Sequence, residues 1–106
     1  MYYALKDLKK KSPGPGVEMR PIHGDRMTLV FFHLQTDGAV PEHHHPHEQM
    51  GTVLSGTMEL TIDGQRRTLS KGDVYHVPPD VIHSGRCLEG PAEVIEVFSP
   101  VREDFK

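Results

Sequence analysis

One cysteine, no excess of positive charge and no long apolar run: this 106-residue chain is first characterised by what it has little of. Cys87 stands alone, so no internal disulfide can form, and a reducing, cytoplasmic setting is the expectation. Lysine and arginine number 12 against 15 acidic residues, a formal net charge of -3 with the histidines neutral. That balance argues against general binding of nucleic acid through its phosphates, and Lys9-Lys10-Lys11 is short enough to be a solvated end. No apolar segment approaches the roughly 20 residues of a membrane-spanning helix, and the N-terminus lacks a signal-peptide pattern. A sustained helical period is missing throughout, as is any internal repeat.

What remains reads as strand. The length suits one domain over residues 1–106. Residues 1–16 form a flanking segment in which Met1 to Leu8 fits a strand or a short helix, and Ser12-Pro13-Gly14-Pro15-Gly16 is a turn-rich break. Met27 to Leu34 is rich in β-formers. Thr52-Val53-Leu54 precedes a turn at Ser55-Gly56, and Met58 to Ile62 alternates with period two. Asp63-Gly64 is a preferred two-residue hairpin pair, with Arg67-Thr68-Leu69 as the return strand. After a turn at Lys71-Gly72-Asp73, Val74 to Val77 is a short strand stopped by Pro78-Pro79, and Ala92 to Phe98 is the last strand. Many short strands punctuated by Gly and Pro predict an all-β sandwich or closed barrel.

The densest chemistry lies in His43-His44-His45-Pro46-His47-Glu48-Gln49. Neutral imidazole is the commonest protein ligand for transition metals. On an extended strand His43 and His45 share a face, and Gln49 has the same parity. His47 does too and competes on geometry, whereas His44 points away. His83 begins a new extended segment after the Pro78-Pro79-Asp80 turn. In chain order the candidate ligands are His43, His45, Gln49 and His83, with His47 still open on geometry. Three imidazoles and an amide oxygen are all neutral, which keeps a bound ion Lewis acidic and weakly favours non-redox chemistry. Zn, Ni, Mn and Fe(II) all suit such a shell. His23, His33 and His76 lack spacing partners and read as ordinary strand or surface residues.

Two spaced motifs resemble the cupin family. The first is Gly38, four residues, His43-x-His45, three residues, Gln49, six residues, Gly56; the second is Gly72, five residues, Pro78, then His83. Asp80 stands where the family usually has Gly, Cys87 where it usually has Asn, and Gln49 where Glu is commoner. The resemblance covers about residues 27–98, leaving a C-terminal tail, 99–106. It implies a double-stranded β-helix, or jelly-roll, barrel with a divalent metal held by His43, His45, Gln49 and His83.

The C-terminal strand adds a second constellation. Val94, Glu96 and Phe98 share one face, and Glu93, Ile95 and Val97 the other, so one glutamate faces inward if both faces are buried. Parity alone leaves Glu93 and Glu96 both open. The ending Val-Phe-Ser-Pro-x-Arg-Glu-Asp-Phe, with His-Pro-His-Glu-Gln, resembles the small cupins acting on unsaturated uronates from pectin and alginate. That resemblance implicates Glu96 as the catalytic acid, where the family usually has Asp, and Phe98 and Arg102 in substrate binding. His47 is a further candidate for the pocket mouth. The competing assignments are Arg102 paired with Glu103, Asp104 or a partner subunit, Phe98 in the core, and Glu96 at the rim.

The expected activity is a metal-dependent lyase or isomerase that turns a 4,5-unsaturated uronate into a linear ketonised sugar acid. A metal-dependent oxygenase using Fe or Ni and a non-catalytic barrel that binds a small molecule are the rivals. The expected partners are a small sugar acid and a second copy of the chain, with neither nucleic acid nor membrane.

Overall fold

A computed structural model describes all 106 residues, Met1 to Lys106. It is 60% strand and 6% helix. Eight strands follow in order: β1 (Lys11–Gly14), β2 (Val17–His23), β3 (Thr28–Leu34), β4 (Ala39–His43), β5 (Glu48–Ile62), β6 (Gln65–Leu69), β7 (Val74–Val77) and β8 (His83–Ser99). Every pairing is antiparallel. No helix is long and apolar enough to cross a membrane.

The two long strands make the barrel. β5 and β8 pair along nearly their whole length, from Glu48↔Ser99 to Ile62↔His83, with register shifts between Val53 and Met58. One half of the pair continues into β7 on one side and into β3, β2 and β1 on the other. The other half continues into β6 and β4. Two sheets therefore share one bent pair of strands, and the inner faces close on each other as a jelly roll. Strand β3 shows the consequence: Thr28, Val30, Phe32 and Leu34 are buried while the residues between them are not. Each fully buried valine of this kind contributes about 2 kcal/mol of hydrophobic stabilisation.

Three expectations are revised. Ser55-Gly56 is not a turn but a bulge inside β5: Gly56 has φ +77° and bends the strand without reversing it. A Cβ there would lie 2.6 Å from the Ala92 Cα, so the close approach also requires glycine. The Ser12–Gly16 stretch is not only a break, because Lys11–Gly14 forms edge strand β1, where Pro13 is tolerated. Of the two options for the N-terminal octet, the short helix forms, as a single 3-10 turn at Leu5–Asp7. The last strand starts nine residues earlier than Ala92, at His83; Gly85 and Gly90-Pro91 disguise its first half. The hairpin at Asp63-Gly64 forms as expected, with positive φ at both residues and Ile62 facing Gln65.

Candidate metal centre and active-site cavity

β4 ends at His43, which faces His83 at the start of β8. His45 lies beyond the strand, in the connection to β5, so shared strand parity does not place it. The Asp80 N–H donates to the His45 carbonyl at 2.8 Å, tying that connection to the turn before His83. Asp80 has φ +64°, a left-handed conformation that favours Gly and that Asp tolerates. The result is a convergence: one ring nitrogen from each of His43, His45 and His83 lies within 4.8 Å of the others.

The protons of these rings are set by their backbone partners. Nδ1 of His43 donates to the Pro41 carbonyl at 2.8 Å, Nδ1 of His45 to His47 at 3.0 Å, and Nδ1 of His83 to Val81 at 2.9 Å. A carbonyl only accepts, so in the neutral imidazoles each Nε2 is a bare lone pair. Burial, and then the Arg102 charge, lower the His45 pKa from 6.5 to about 4; burial also lowers that of His83. Both rings are thus neutral at neutral pH. Nε2 of His83 is buried without any hydrogen-bond partner. Nε2 of His45 lies 3.0 Å from Oε1 of Gln49, one lone pair facing another. An orphaned nitrogen and two opposed acceptors are the arrangement that a cation between them relieves. The donor set fits a divalent metal, and the histidine triad is able to hold one.

Gln49, Phe98 and Glu96 come from adjacent strands. Gln49 on β5 is in register with Phe98 on β8, and Gly51 with Glu96. The other end of the Gln49 amide, Nε2, donates to Oε2 of Glu96 at 2.6 Å, and the Tyr75 hydroxyl donates to the same oxygen. Glu96 is buried, whereas Glu93 is on the outer face, bonded to His33. Burial pushes the Glu96 carboxyl pKa up, against the downward pull of the Tyr75 and Gln49 hydrogen bonds and of Arg102. Glu96, Gln49, His43, His83, Phe98 and Arg102 line a cavity of about 230 Å³.

The tail closes one side of it. Arg102 is buried and makes a bidentate pair with Asp104, Nε to Oδ1 at 3.0 Å and Nη2 to Oδ2 at 2.8 Å. Its guanidinium stacks on Phe98 and on Phe105, 4.7 and 4.0 Å from the ring centroids. The Arg102 hydrogen bond holds the Asp104 carboxyl below its ordinary range. Arg102 thus pairs with Asp104 and also lines the cavity. His47 does not line it; Nε2 donates to the Val101 carbonyl at 3.2 Å and fastens the tail to the histidine segment. His44 is exposed, and His23 and His76 bond to Thr28 and Glu48 away from the triad. Cys87 is fully buried, its thiol pKa raised by burial, as suits a small packing residue.

Tyr75 and Phe105 also line the cavity, and the sequence does not mark them. Tyr75 was legible as part of a short strand, but four residues do not show which face meets a cavity. Phe105 lies beyond the last strand, in a 3-10 turn at Glu103–Phe105, where no period applies.

A double-sheet barrel with three converging imidazoles defines a cupin able to hold a metal. The family model described as "Cupin domain" matches residues 30–98, and the chain belongs to the cupin family. Within it, the chain is 34% identical over 107 residues to the pectin degradation protein KdgF of Dickeya dadantii (strain 3937), spanning 98% of this chain and 96% of that one. KdgF from Halomonas sp. has the same fold with a TM-score of 0.92 at 27% identity, over 100% of this chain and 98% of that one. An RmlC-like cupin from Shewanella frigidimarina NCIMB 400 gives 0.91 at 27% identity, over 99% and 95%.

Proposed function

We propose that the protein is a metal-dependent isomerase that opens and ketonises 4,5-unsaturated uronates, the unsaturated sugar acids released from pectin and related polymers. The observation that carries this reading is one cavity lined by His43 and His83 of the histidine triad, by a buried carboxylate and by a buried arginine. Near full-length likeness to a pectin degradation protein supports the substrate class.

His43, His45 and His83, with the amide oxygen of Gln49, are the residues to hold the ion. A divalent cation there supplies positive charge that stabilises negative charge developing on a sugar oxygen. Arg102 offers its unpaired guanidinium edge to the substrate carboxylate, since Asp104 takes Nε and Nη2. Phe98 packs against the ring and excludes water. Glu96 moves the proton: its free Oε1 takes it from the anomeric hydroxyl as the ring C–O bond breaks, then delivers it to C4 as the C5 enolate becomes a ketone. No atom is gained or lost, so the net reaction is an isomerisation. The test is the ultraviolet absorbance of 4,5-unsaturated galacturonate mixed with metal-loaded protein. Fast loss of the double-bond signal is expected; loss no faster than the spontaneous rate overturns the reading.

Arg102→Lys is expected to raise KM about tenfold or more with a smaller effect on kcat, because a point charge replaces a planar fork worth about 1.5–3 kcal/mol in charge-assisted hydrogen bonds. Steady-state kinetics check it, and an unchanged KM removes Arg102 from substrate binding.

The reading also takes the protein as a cytoplasmic homodimer. Leu29, Met50, Val74, Ile95 and Val97 lie together on the outer face of the sheet, with Met50 50% and Val74 75% exposed. Such a contiguous apolar patch on a sheet suits a second copy of the chain. Light scattering is expected to give twice the 11.9 kDa chain mass; a monomer rejects the dimer.

A further inference from the structure

Glu96 is held from a direction that no sequence motif marks. Gly51 on β5 is the register partner of Tyr75 on β7 and also of Glu96 on β8. The three residues form one row across the inner face, with the glycine in the middle. Backbones two strands apart are separated by about 10 Å, and the side chain of the middle strand normally fills the gap. Here it has none. The Tyr75 ring lies across the vacant position and brings its hydroxyl to Oε2 of Glu96. A Cβ built at Gly51 collides with Cζ and the hydroxyl of Tyr75 and comes within 2.9 Å of Cε2. The φ of Gly51 is not in the left-handed region. The glycine is required by the phenol above it, not by the backbone.

We infer that Gly51 and Tyr75 act together as a cross-strand positioning device for Glu96: the phenol laid over the glycine holds Oε2 and turns Oε1 toward the substrate. This rests on the proposed role of Glu96 as the proton carrier and adds the residues that set its geometry. Oε2 receives two donors, the Tyr75 hydroxyl and Nε2 of Gln49, while no protein donor reaches Oε1. The carboxylate is thereby divided into a structural oxygen and a working oxygen. Burial and the nearness of Glu96 push the Tyr75 pKa well above its ordinary value, so the phenol stays a donor. Side-chain length matters equally, because an aspartate at 96 ends one C–C bond, about 1.5 Å, short of the donor. Tyr75 is a positioning residue, and Gly51 is the space that admits it.

The experiment compares Tyr75→Phe, Gly51→Ala and the double variant in zinc-loaded protein, with two readouts. The first is the proton spectrum. A buried phenol bonded to a carboxylate gives a slowly exchanging downfield hydroxyl signal, expected in the wild type and absent from both single variants while the remaining dispersion persists. The second is turnover of 4,5-unsaturated galacturonate. Each single variant is expected to lose about 10- to 100-fold in kcat, with KM within about twofold. The double variant is expected to be no worse than either single one, as for two residues acting through one contact. Tyr75→Phe with wild-type kcat overturns the proposal, and so does Gly51→Ala with both the signal and full turnover. Should Gly51→Ala fail to fold, Tyr75→Phe decides alone. If the wild type turns over no uronate, the substrate reading fails, and the hydroxyl signal and its loss in the variants decide the positioning contact by itself.

Discussion

Glu96→Gln is expected to lower kcat by about 10²- to 10⁴-fold, the contribution of a positioned proton-transfer group, while leaving the fold and the bound metal in place. The physical case lies in what the amide keeps and what it loses. Its oxygen can take the place of Oε2 and accept from the Tyr75 hydroxyl and from Nε2 of Gln49, as the carboxylate does. Its NH2 group then occupies the position of Oε1, facing the cavity, where it can neither take the hydroxyl proton nor deliver one to carbon. Stability should hold or rise. Burial disfavours the Glu96 carboxylate and pushes its pKa up, and a neutral side chain of the same volume removes that cost. The measurements are the loss of double-bond absorbance and the thermal midpoint, taken on the same preparation. Wild-type turnover would end the role of Glu96. A lost thermal transition would instead show a structural one.

The sequence shows the cupin barrel, its hairpin and its histidine triad far better than it shows the cavity around Glu96. Asp63-Gly64 predicts its turn because local chemistry alone demands positive φ there. The two glycine-framed motifs give the family, since the spacing of His43, His45 and His83 is retained. Ser55-Gly56 is misread because a glycine that bends a strand looks, in one dimension, like a glycine that reverses it. Only the continued pairing of β5 with β8 distinguishes the two. The choice between Glu93 and Glu96 is open for a similar reason: parity orders the residues of β8 but does not say which face is inside. The contacts of Glu96 are less legible still. Tyr75 and Gly51 lie 24 residues apart and meet only through register, a property of the assembled sheet.

His45→Ala is expected to abolish metal retention and turnover together, and a strong chelator is expected to do the same to the wild type. His45 is the most buried of the converging rings after His83, and its Nε2 opposes Oε1 of Gln49. Removing it leaves His43, His83 and the amide, and an incomplete shell competes poorly with water. The consequence reaches stability as well. A ligand that binds only the folded state at 100 times its Kd stabilises it by about 2.7 kcal/mol, and for a chain of this size that corresponds to about 10 °C or more in Tm. The chelated wild type should therefore unfold earlier and recover when a divalent ion is returned. The His45→Ala protein should show the lower midpoint from the start and no response to the ion. Elemental analysis and thermal unfolding read this independently of any substrate. Full turnover by metal-free protein would leave the converging nitrogens of His43, His45 and His83 without a part in the chemistry. Metal-dependent stability without turnover would keep the site and discard the uronate.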